Sequence, residues 1–188
     1  ASSAASDVYK RQVSIIHPWE AGRDNSVDWD QAFERVPTEG ISEYTRRDTE
    51  HANPEHRPTK EQYDRYLWLV EHFRSLGWDN SKLHDASPFQ VVDPGFNAIL
   101  IRSCFDLAAL AEELEMDDVA QRNYAWARQS LDSLEDLWCD QHRQYLCQDR
   151  TTGQLVESSS VGGLLAVFAP IRHIRAQAIA QRIEQIST

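Results

Sequence analysis

One stretch near the start of the chain concentrates residue types that can bind a ligand and transfer a proton. It runs from His17 to Asp30 with the sequence HPWEAGRDNSVDWD, and it contains two Trp, four carboxylates, one His and one Asn. The stretch is too polar for a hydrophobic core and too aromatic for an ordinary solvated turn. We interpret it as a binding loop.

The chemistry that these residue types suit is that of sugars. The face of a Trp ring packs against the C–H face of a pyranose, while Asp, Asn and Glu hydrogen-bond to neighbouring hydroxyls. A carboxyl group crowded by aromatic rings and other acids can hold its proton near neutral pH, and beside a glycosidic oxygen it is a general acid. The same composition also fits an acidic surface loop that its Trp residues merely anchor, because perturbed carboxylates occur in structural networks too.

The stretch resembles the H-P-W-E-[ST]-G-x-D-N-S-x-x-W-D signature of the mannosylglycerate and glucosylglycerate hydrolases, relatives of the family sixty-three glycoside hydrolases. Two later stretches agree in order and approximate spacing: RPT at 57–59 leading into YDRY at 63–66, and DPGFNAIL at 93–100. The resemblance runs from about His17 to at least Leu114. It implies an inverting α-glycoside hydrolase that acts on glucosylglycerate or mannosylglycerate, with an oligosaccharide α-glucosidase as the close alternative.

The resemblance also implies roles for single residues. The family's general acid is the Asp of G-x-D-N-S, which is Asp24, and Trp19 would wall the subsite that holds the hexose. Arg57 matches an Arg that would clamp the carboxylate of the glyceryl group, a task that suits a bidentate guanidinium. Hydroxyl contacts or support of the site are expected from Glu20, Asn25, Trp29, Asp30 and Tyr66.

The sequence departs from the family pattern at two positions of the loop. Ala21 replaces the usual Ser or Thr, and Arg23 stands where Met is common, directly before the proposed acid. An inward-pointing Arg23 would favour the ionised form of the acid, whereas one that points to solvent would have no effect.

An inverting glycosidase also needs a second carboxylate as a base. In the relatives this is a Glu that lies downstream of Thr188, and the local candidate Glu157 is not expected to replace it. The 188 residues alone are therefore expected to be inactive. A non-catalytic helical protein that binds sugar or another protein is the competing class, and the distal Glu in the completed reading frame would distinguish the two.

Composition limits the partners and the compartment. The net charge is −11 and no Lys/Arg-rich run is present, which argues against nucleic acid or an anionic membrane as a partner and fits a small carbohydrate. No apolar run approaches the length of a membrane span. The three Cys residues have no metal-ligand spacing, and their odd number predicts a reducing, cytoplasmic compartment. We expect no metal and no other cofactor.

The elements that must position these residues are predicted to be mainly helices. Thr59 and the Asp93-Pro94 pair are typical helix starts, and Gly77 is a typical end. On the first long helix, Tyr63, Tyr66, Leu67, Val70 and Phe73 are predicted to share a face. The predicted helices span Trp29–Arg35, Thr59 to about Leu76, Asp93 to about Met116, Asp117 or Asp118 to about Cys139, Val161–Phe168 and His173–Ile186.

The connections between helices are predicted as well. Residues 38–58 read as a long polar loop, and the helices before and after Met116 are joined so closely that they should be antiparallel. Alternation over Tyr145–Val156 about a Thr-Gly turn predicts a short β-hairpin, and Ser158–Ser160 should cap the following helix. The fold class is therefore all-α.

Helix hairpins with long Trp- and Asp-rich loops are what an (α/α)6 toroid requires, and the resemblance implies that fold. The predicted helices supply roughly half of it. We expect such a piece to leave an apolar face exposed and to be poorly soluble or incompletely folded alone.

The first twelve residues are set apart from this domain. Residues 2–12, SSAASDVYKRQ, back-translate into the transposase adapter used in tagmentation sequencing libraries. We therefore interpret residues 1–12 as a library scar and residues 13–188 as an incomplete six-hairpin catalytic domain, truncated at both ends.

Overall fold

The computed structural model describes residues 12–47, 57–158 and 160–186, and most of them are helical. Short 3₁₀ helices occupy Pro18–Ala21, Val27–Trp29, Glu135–Leu137 and Val161–Phe168. The other elements, in chain order, are β1 (Ser14–Ile15), α1 (Asp30–Phe33), α2 (Lys60–Ser75), α3 (Asn80–Ala86), β2 (Val91–Val92), α4 (Pro94–Glu113), α5 (Asp117–Leu134), β3 (Trp138–Cys139), β4 (Gln144–Tyr145), β5 (Gln148–Asp149) and α6 (His173–Ile186).

The chain divides into two compact units. The first, the loop unit, comprises the described residues within 14–91 and 149–154, and the second, the hairpin unit, comprises the described residues within 12–13, 92–148 and 155–186. The loop unit contains the His17–Asp30 stretch and α1 to α3. The hairpin unit contains α4, α5, the β3–β4 pair and α6.

Helix α2 begins and ends as predicted. The Thr59 hydroxyl accepts from the Gln62 amide at 3.2 Å and the Gln62 side chain accepts from the Thr59 amide at 2.9 Å, which is a complete capping box. Gly77, with φ of +67°, follows the last turn.

The buried face of α2 differs from the predicted one. Leu69 is fully buried together with Tyr66 and Phe73, whereas Leu67 and Val70 are half-buried. The rings of Tyr66 and Phe33 lie 5.0 Å apart, and Phe33 meets Phe89 at 5.5 Å. This aromatic cluster, supplied by other elements of the unit, decides which side of α2 turns inward.

The loop unit also includes residues 149–154, the turn of a hairpin much later in the sequence, and an ion pair holds this turn. The Arg35 guanidinium donates to both carboxylate oxygens of Asp149, at 2.8 and 2.7 Å, and Asp149 is fully buried. Such a bidentate pair fixes orientation as well as distance. The ion pair holds the chain just after α1. Helix α1 ends at Phe33 and is therefore shorter than the predicted Trp29–Arg35 helix.

Helix α4 starts at the predicted Asp93-Pro94 pair, and α5 follows it after three residues. The Asp93 carboxylate accepts from the Gly95 amide at 2.7 Å. Tyr124 of α5 contacts α4 through a hydrogen bond to Glu112 at 2.8 Å and a ring contact with Phe105 at 6.1 Å. These contacts are those of two helices that pack side by side as a hairpin.

The predicted end of α5 at Cys139 is wrong. The helix ends at Leu134, and Trp138 enters β3, which pairs antiparallel with β4 in the register Trp138 to Tyr145. The Trp138 ring packs against Tyr145 at 5.0 Å and under the Arg175 guanidinium at 4.2 Å. One contact comes from a β-strand pair and the other from a residue of α6, so helical periodicity could not reveal them.

The hairpin predicted over residues 145–156 is confirmed at its turn. Gln148 and Leu155 form an antiparallel bridge, and the Asp149 amide donates to the Gln154 carbonyl at 3.0 Å. Gly153 takes a φ of +72° in the turn. Tyr145, however, belongs to the preceding β3–β4 pair.

The remaining two helices of the hairpin unit lie where they were predicted. Residues Val161–Phe168 form a 3₁₀ helix whose first turn is capped by the Ser160 hydroxyl, and α6 has the predicted bounds. A Cβ at Gly163 would lie 1.9 Å from the Tyr145 carbonyl oxygen. Only glycine permits this close packing of the 3₁₀ helix against the backbone of Tyr145 in the hairpin unit.

An apolar stripe of α4 is exposed. Ile99, Leu107, Leu110 and Leu114 are 48 to 61% exposed, and they repeat at intervals of three to eight residues along the helix. Exposed apolar residues in one stripe mark an interaction surface or an aggregation hazard.

We expect the isolated 188-residue chain to self-associate through this stripe. Replacing Leu107, Leu110 and Leu114 together by Gln removes most of its apolar side chains and should shift the chain toward monomer in sedimentation velocity. The matched control replaces Ile174, Ile183 and Ile186 of α6, which are also exposed, by Gln. It should shift the chain toward monomer less than the change in the α4 stripe does. A monomeric wild-type chain with a sharp, cooperative melt would contradict the expectation.

Candidate active site

The first half of the His17–Asp30 loop is built on a capped 3₁₀ turn. The His17 Nδ1 accepts from the Trp19 amide at 3.1 Å, and the Glu20 carboxylate accepts from the amides of Ile16 and His17 at 2.7 and 3.1 Å. Pro18 fits the first position because it has no amide hydrogen to satisfy. Glu20, expected to contact a hydroxyl or to support the site, serves as the reciprocal partner of a capping box.

His17 joins this turn to helix α2. Its Nε2 lies 3.1 Å from the Tyr66 carbonyl, to which it donates, since Nδ1 is already an acceptor. Burial lowers the pKa of His17 to about 4, so the ring is neutral at neutral pH. The Trp19 ring packs on this imidazole at 4.5 Å and contacts the Tyr66 ring at 5.6 Å.

The loop unit should therefore lose stability in acid through His17. The pKa falls from 6.5 in the unfolded chain to about 4 in the folded one, so between these values the unfolded state binds more protons. This contribution is complete above pH 6.5 and is lost as the pH falls toward 4, by about 3 kcal/mol in the free energy of unfolding.

Urea denaturation of the complete enzyme at several pH values checks this. His17→Asn keeps an acceptor near the Trp19 amide and should be less stable at pH 7 but less sensitive to acid. His173→Asn, at an exposed position, should keep the wild-type dependence. An unchanged acid sensitivity in His17→Asn would show that another group causes it.

The second half of the loop is held by a buried ion pair. The Arg23 Nη1 donates to the Asp28 carboxylate at 2.6 Å and to the Ser26 hydroxyl at 2.9 Å. The guanidinium carbon also lies 4.7 Å from the centre of the Trp29 ring, a cation–π distance. Arg23, whose direction the sequence left open, points toward Asp28 and Trp29.

Asp24 lies half-buried between these two halves. Its backbone carbonyl accepts from the Tyr66 hydroxyl at 2.6 Å. Burial, and then the negative charges of Asp24 and Asp30, raise the pKa of Tyr66 well above its usual value. The hydroxyl therefore keeps its proton and remains a donor across the whole physiological range.

The other predicted site residues differ in their surroundings. Trp19 is 43% exposed and presents ring surface to solvent, whereas Trp29 is fully buried and its Nε1 donates to the Arg23 carbonyl at 2.7 Å. Asn25 is exposed. Asp30 is exposed at the start of α1, where partial burial, and then the charges of Glu34 and Asp28, raise its pKa.

Arg57 is exposed in the segment that leads into α2. The next residue, Pro58, is held because its carbonyl accepts from the Arg46 Nη1 at 2.9 Å. Arg46 in turn lies over the Tyr63 ring at 4.7 Å, and Tyr44 stacks on that ring at 5.5 Å. The backbone beside Arg57 is thus fixed to the first turns of α2.

Tyr44 and Asp64 complete this anchor. The Tyr44 hydroxyl donates to the buried Asp64 carboxylate, which also accepts from Lys60 at 2.7 Å. Burial, with the Asp64 hydrogen bond second, raises the pKa of Tyr44 to about 12. The described part of the predicted 38–58 loop is irregular but attached, and its residues 48–56 lie outside the described residues.

A hollow of about 610 Å³ adjoins the loop but is not lined by Asp24. Trp19 and Trp78 are exposed on its rim, at 43 and 52%, and Phe73 and Leu83 form its apolar floor. Its polar residues, His17 and Glu20, already bind backbone groups. The hollow therefore offers apolar contact rather than proton transfer.

The described residues contain neither a cluster of metal ligands nor a membrane-spanning helix. No group of three or more His, Cys, Asp or Glu side chains in residues 12–47, 57–158 and 160–186 could hold a metal ion. Within the same ranges, no helix has the length and apolar character needed to cross a membrane.

Residues 7–187 match the family model of the mannosylglycerate hydrolase MGH1-like glycoside hydrolase domain. The chain belongs to this glycosidase family. It is 44% identical over 174 residues to a mannosylglycerate hydrolase of Thermus thermophilus, an alignment that covers 92% of this chain and 41% of the relative. It is 36% identical over 118 residues to a glucosylglycerate hydrolase of Mycolicibacterium hassiacum, covering 62% of this chain and 26% of the relative.

Solved structures of the family have a fold similar to that of this chain. A mannosylglycerate hydrolase of Thermus thermophilus in complex with Tris and D-glycerate superposes with a TM-score of 0.90 at 42% identity, over 96% of this chain and 43% of that one. The same enzyme in complex with glucose gives 0.85, over 95% of this chain and 43% of that one. The chain spans less than half the length of these relatives.

Several residues of this candidate site were missed by sequence reasoning. His17, Asp28, Tyr44 and Arg46 each support the loop or its neighbour, and none was proposed for that task. The capping pattern of His17 and Glu20, three residues apart with Pro between them, was a readable signal. The Arg23–Asp28 pair and the Tyr44 anchor depend on the folded path of the chain.

Proposed function

We propose that the complete enzyme hydrolyses an α-glycoside of glycerate, glucosylglycerate or mannosylglycerate, with inversion. The observation that carries this is the placement of Asp24. The peptide group before it is held through the Arg23 carbonyl, by the Trp29 Nε1 at 2.7 Å, and the one after it by the Tyr66 hydroxyl at 2.6 Å. An acid whose backbone is fixed on both sides, in a loop that also presents an exposed Trp ring, suits proton donation to a glycosidic oxygen.

The roles of the other residues follow from this proposal. Trp19 offers its exposed ring to the hexose, and Arg57 binds the glyceryl carboxylate. Asn25 and Asp30 are exposed in the same loop and would meet hydroxyls, whereas Trp29, Tyr66 and Glu20 hold the loop. The water-activating base would come from a part of the enzyme that this chain does not contain, because inversion needs a second carboxylate across the sugar.

The described helices fit one part of a larger helical fold. The α4–α5 pair and the exposed stripe on α4 are what a piece of an (α/α)6 toroid would show, and the missing helix pairs would cover that stripe. Completion of the toroid would also bring the base to the site.

Replacing Asp24 by Asn in the complete enzyme should lower kcat on glucosylglycerate or mannosylglycerate by about 10²- to 10⁴-fold. The loss should be much smaller on a 4-nitrophenyl α-glycoside, because its leaving group departs without a proton. Sugar release from both kinds of substrate measures this. Asp85→Asn, at a side chain that is 93% exposed, is the matched control and should act as wild type. Equal activity of Asp24→Asn and wild type would refute the general-acid role.

Replacing Arg57 by Met should raise KM for a glycerate glycoside by about 10- to 100-fold with little change in kcat, because charge-assisted hydrogen bonds contribute about 1.5–3 kcal/mol. Glucosylglycerol, which lacks the carboxylate, should be hydrolysed equally by both enzymes. Arg102→Met, at an exposed residue of α4, controls for the lost charge. An equal loss on both substrates would show that Arg57 does not read the carboxylate.

The second candidate is an oligosaccharide α-glucosidase of the same fold, which would bind a glucosyl ring; a mannosylglycerate hydrolase that this chain resembles was solved in complex with glucose. Maltose is its test substrate. A preference for maltose over both glycerate glycosides, together with an inert Arg57→Met change, would select this alternative.

A further inference from the structure

Arg23 directly precedes the proposed acid. Its guanidinium points toward Asp28 and the Trp29 ring of the same loop. Its side chain is 12% exposed and that of Asp28 is 1% exposed, and the two are joined at 2.6 Å. The Ser26 hydroxyl donates to the same Asp28 oxygen at 2.8 Å. The guanidinium is therefore fixed by a carboxylate, a hydroxyl and the face of Trp29.

The backbone of Arg23 is attached to the same short helix as its side chain. Its carbonyl accepts from the Ser26 amide at 3.0 Å and from the Trp29 Nε1 at 2.7 Å. That carbonyl belongs to the peptide group that enters Asp24. Side chain and backbone of residue 23 thus place Asp24 relative to the Val27–Trp29 turn, which contains Asp28 and Trp29.

The charges matter as much as the position. A guanidinium one residue from a general acid would favour its ionised form, which cannot donate a proton. The buried Asp28 carboxylate supplies the opposite charge at hydrogen-bond distance. An Asp28 carboxylate left without Arg23 would instead act on Asp24 as a like charge.

We propose that Arg23 and Asp28 are a positioning pair that sets both the place of Asp24 and the pH range in which it donates its proton. This rests on the proposed function, since it assumes that Asp24 is the acid.

A double-mutant cycle in the complete enzyme tests the pair. The variants are Asp28→Asn, Arg23→Met and the double change, and the readout is the pH dependence of kcat/KM on a glycerate glycoside. Asp28→Asn frees the guanidinium and should move the high-pH limb down by about one to two pH units. Arg23→Met should move it up, and the double variant should restore it.

The other charged groups near Asp24 stay constant in this cycle. Asp24 interacts electrostatically with His17 and Tyr66, and Tyr66 also with Asp30 and Arg46. The pKa of His17 is lowered to about 4, so this ring does not contribute to the high-pH limb. A shift that the double variant reverses is therefore assigned to the pair.

The outcomes separate this inference from the proposed function. If Asp24→Asn abolishes hydrolysis but the limb stays in place in Asp28→Asn, the pair has only a structural role and the inference fails alone. Lower kcat and melting temperature in Asp28→Asn, without a shift and without recovery in the double variant, would overturn it in the same way. If Asp24→Asn remains active, the proposed function itself fails.

Discussion

The hydrogen bond from the Tyr66 hydroxyl to the Asp24 carbonyl is the interaction on which the site depends. The His17–Asp30 loop has no long strand or α-helix to define its path, so its position must come from single contacts with a rigid element. Tyr66 provides two of them, because its carbonyl also accepts from the His17 Nε2 at 3.1 Å. The start and the middle of the loop are thus attached to one residue of α2, and that residue is fully buried among Phe33 and its neighbours.

The carboxylates of the loop have different structural roles, which depend on the groups around them. Glu20 is held by two backbone amides and Asp28 by Arg23 and Ser26, so both are fixed acceptors that stabilise the turns. Partial burial, and then repulsion by the charges of Glu34 and Asp28, raise the pKa of Asp30. The backbone carbonyl of Asp24 accepts an anchoring hydrogen bond from Tyr66, and a fixed backbone is what the proposed general acid requires.

The parts of the fold that the sequence predicts are those that local chemistry decides. Thr59 and Asp93 accept from amides two or three residues ahead, so their helix starts are visible in the sequence, as is the glycine after α2. The end of α5 could not be predicted in this way, because Trp138 leaves the helix to pair with Tyr145 and to pack under Arg175. The buried face of α2 was shifted for the same reason, since Phe33 and Phe89 select it from outside the helix. Within the site, the motif indicated Asp24, Trp19 and Tyr66, but the partner of Arg23 required the folded loop.

Helix α2 also explains how the two proposed binding elements are kept in register. The segment before it, with Arg57, is fixed through Arg46 to the Tyr63 ring and through Tyr44 to Asp64, whereas the acid loop is fixed to Tyr66. All three residues of α2 lie within one turn of the helix, about 4.5 Å along its axis. Because both elements are attached to the same turn of α2, movement of this helix would carry the proposed acid and the proposed carboxylate clamp together. The spacing between a glycosidic oxygen and a glyceryl carboxylate is fixed by the substrate, and a single rigid turn is the simplest way to match it.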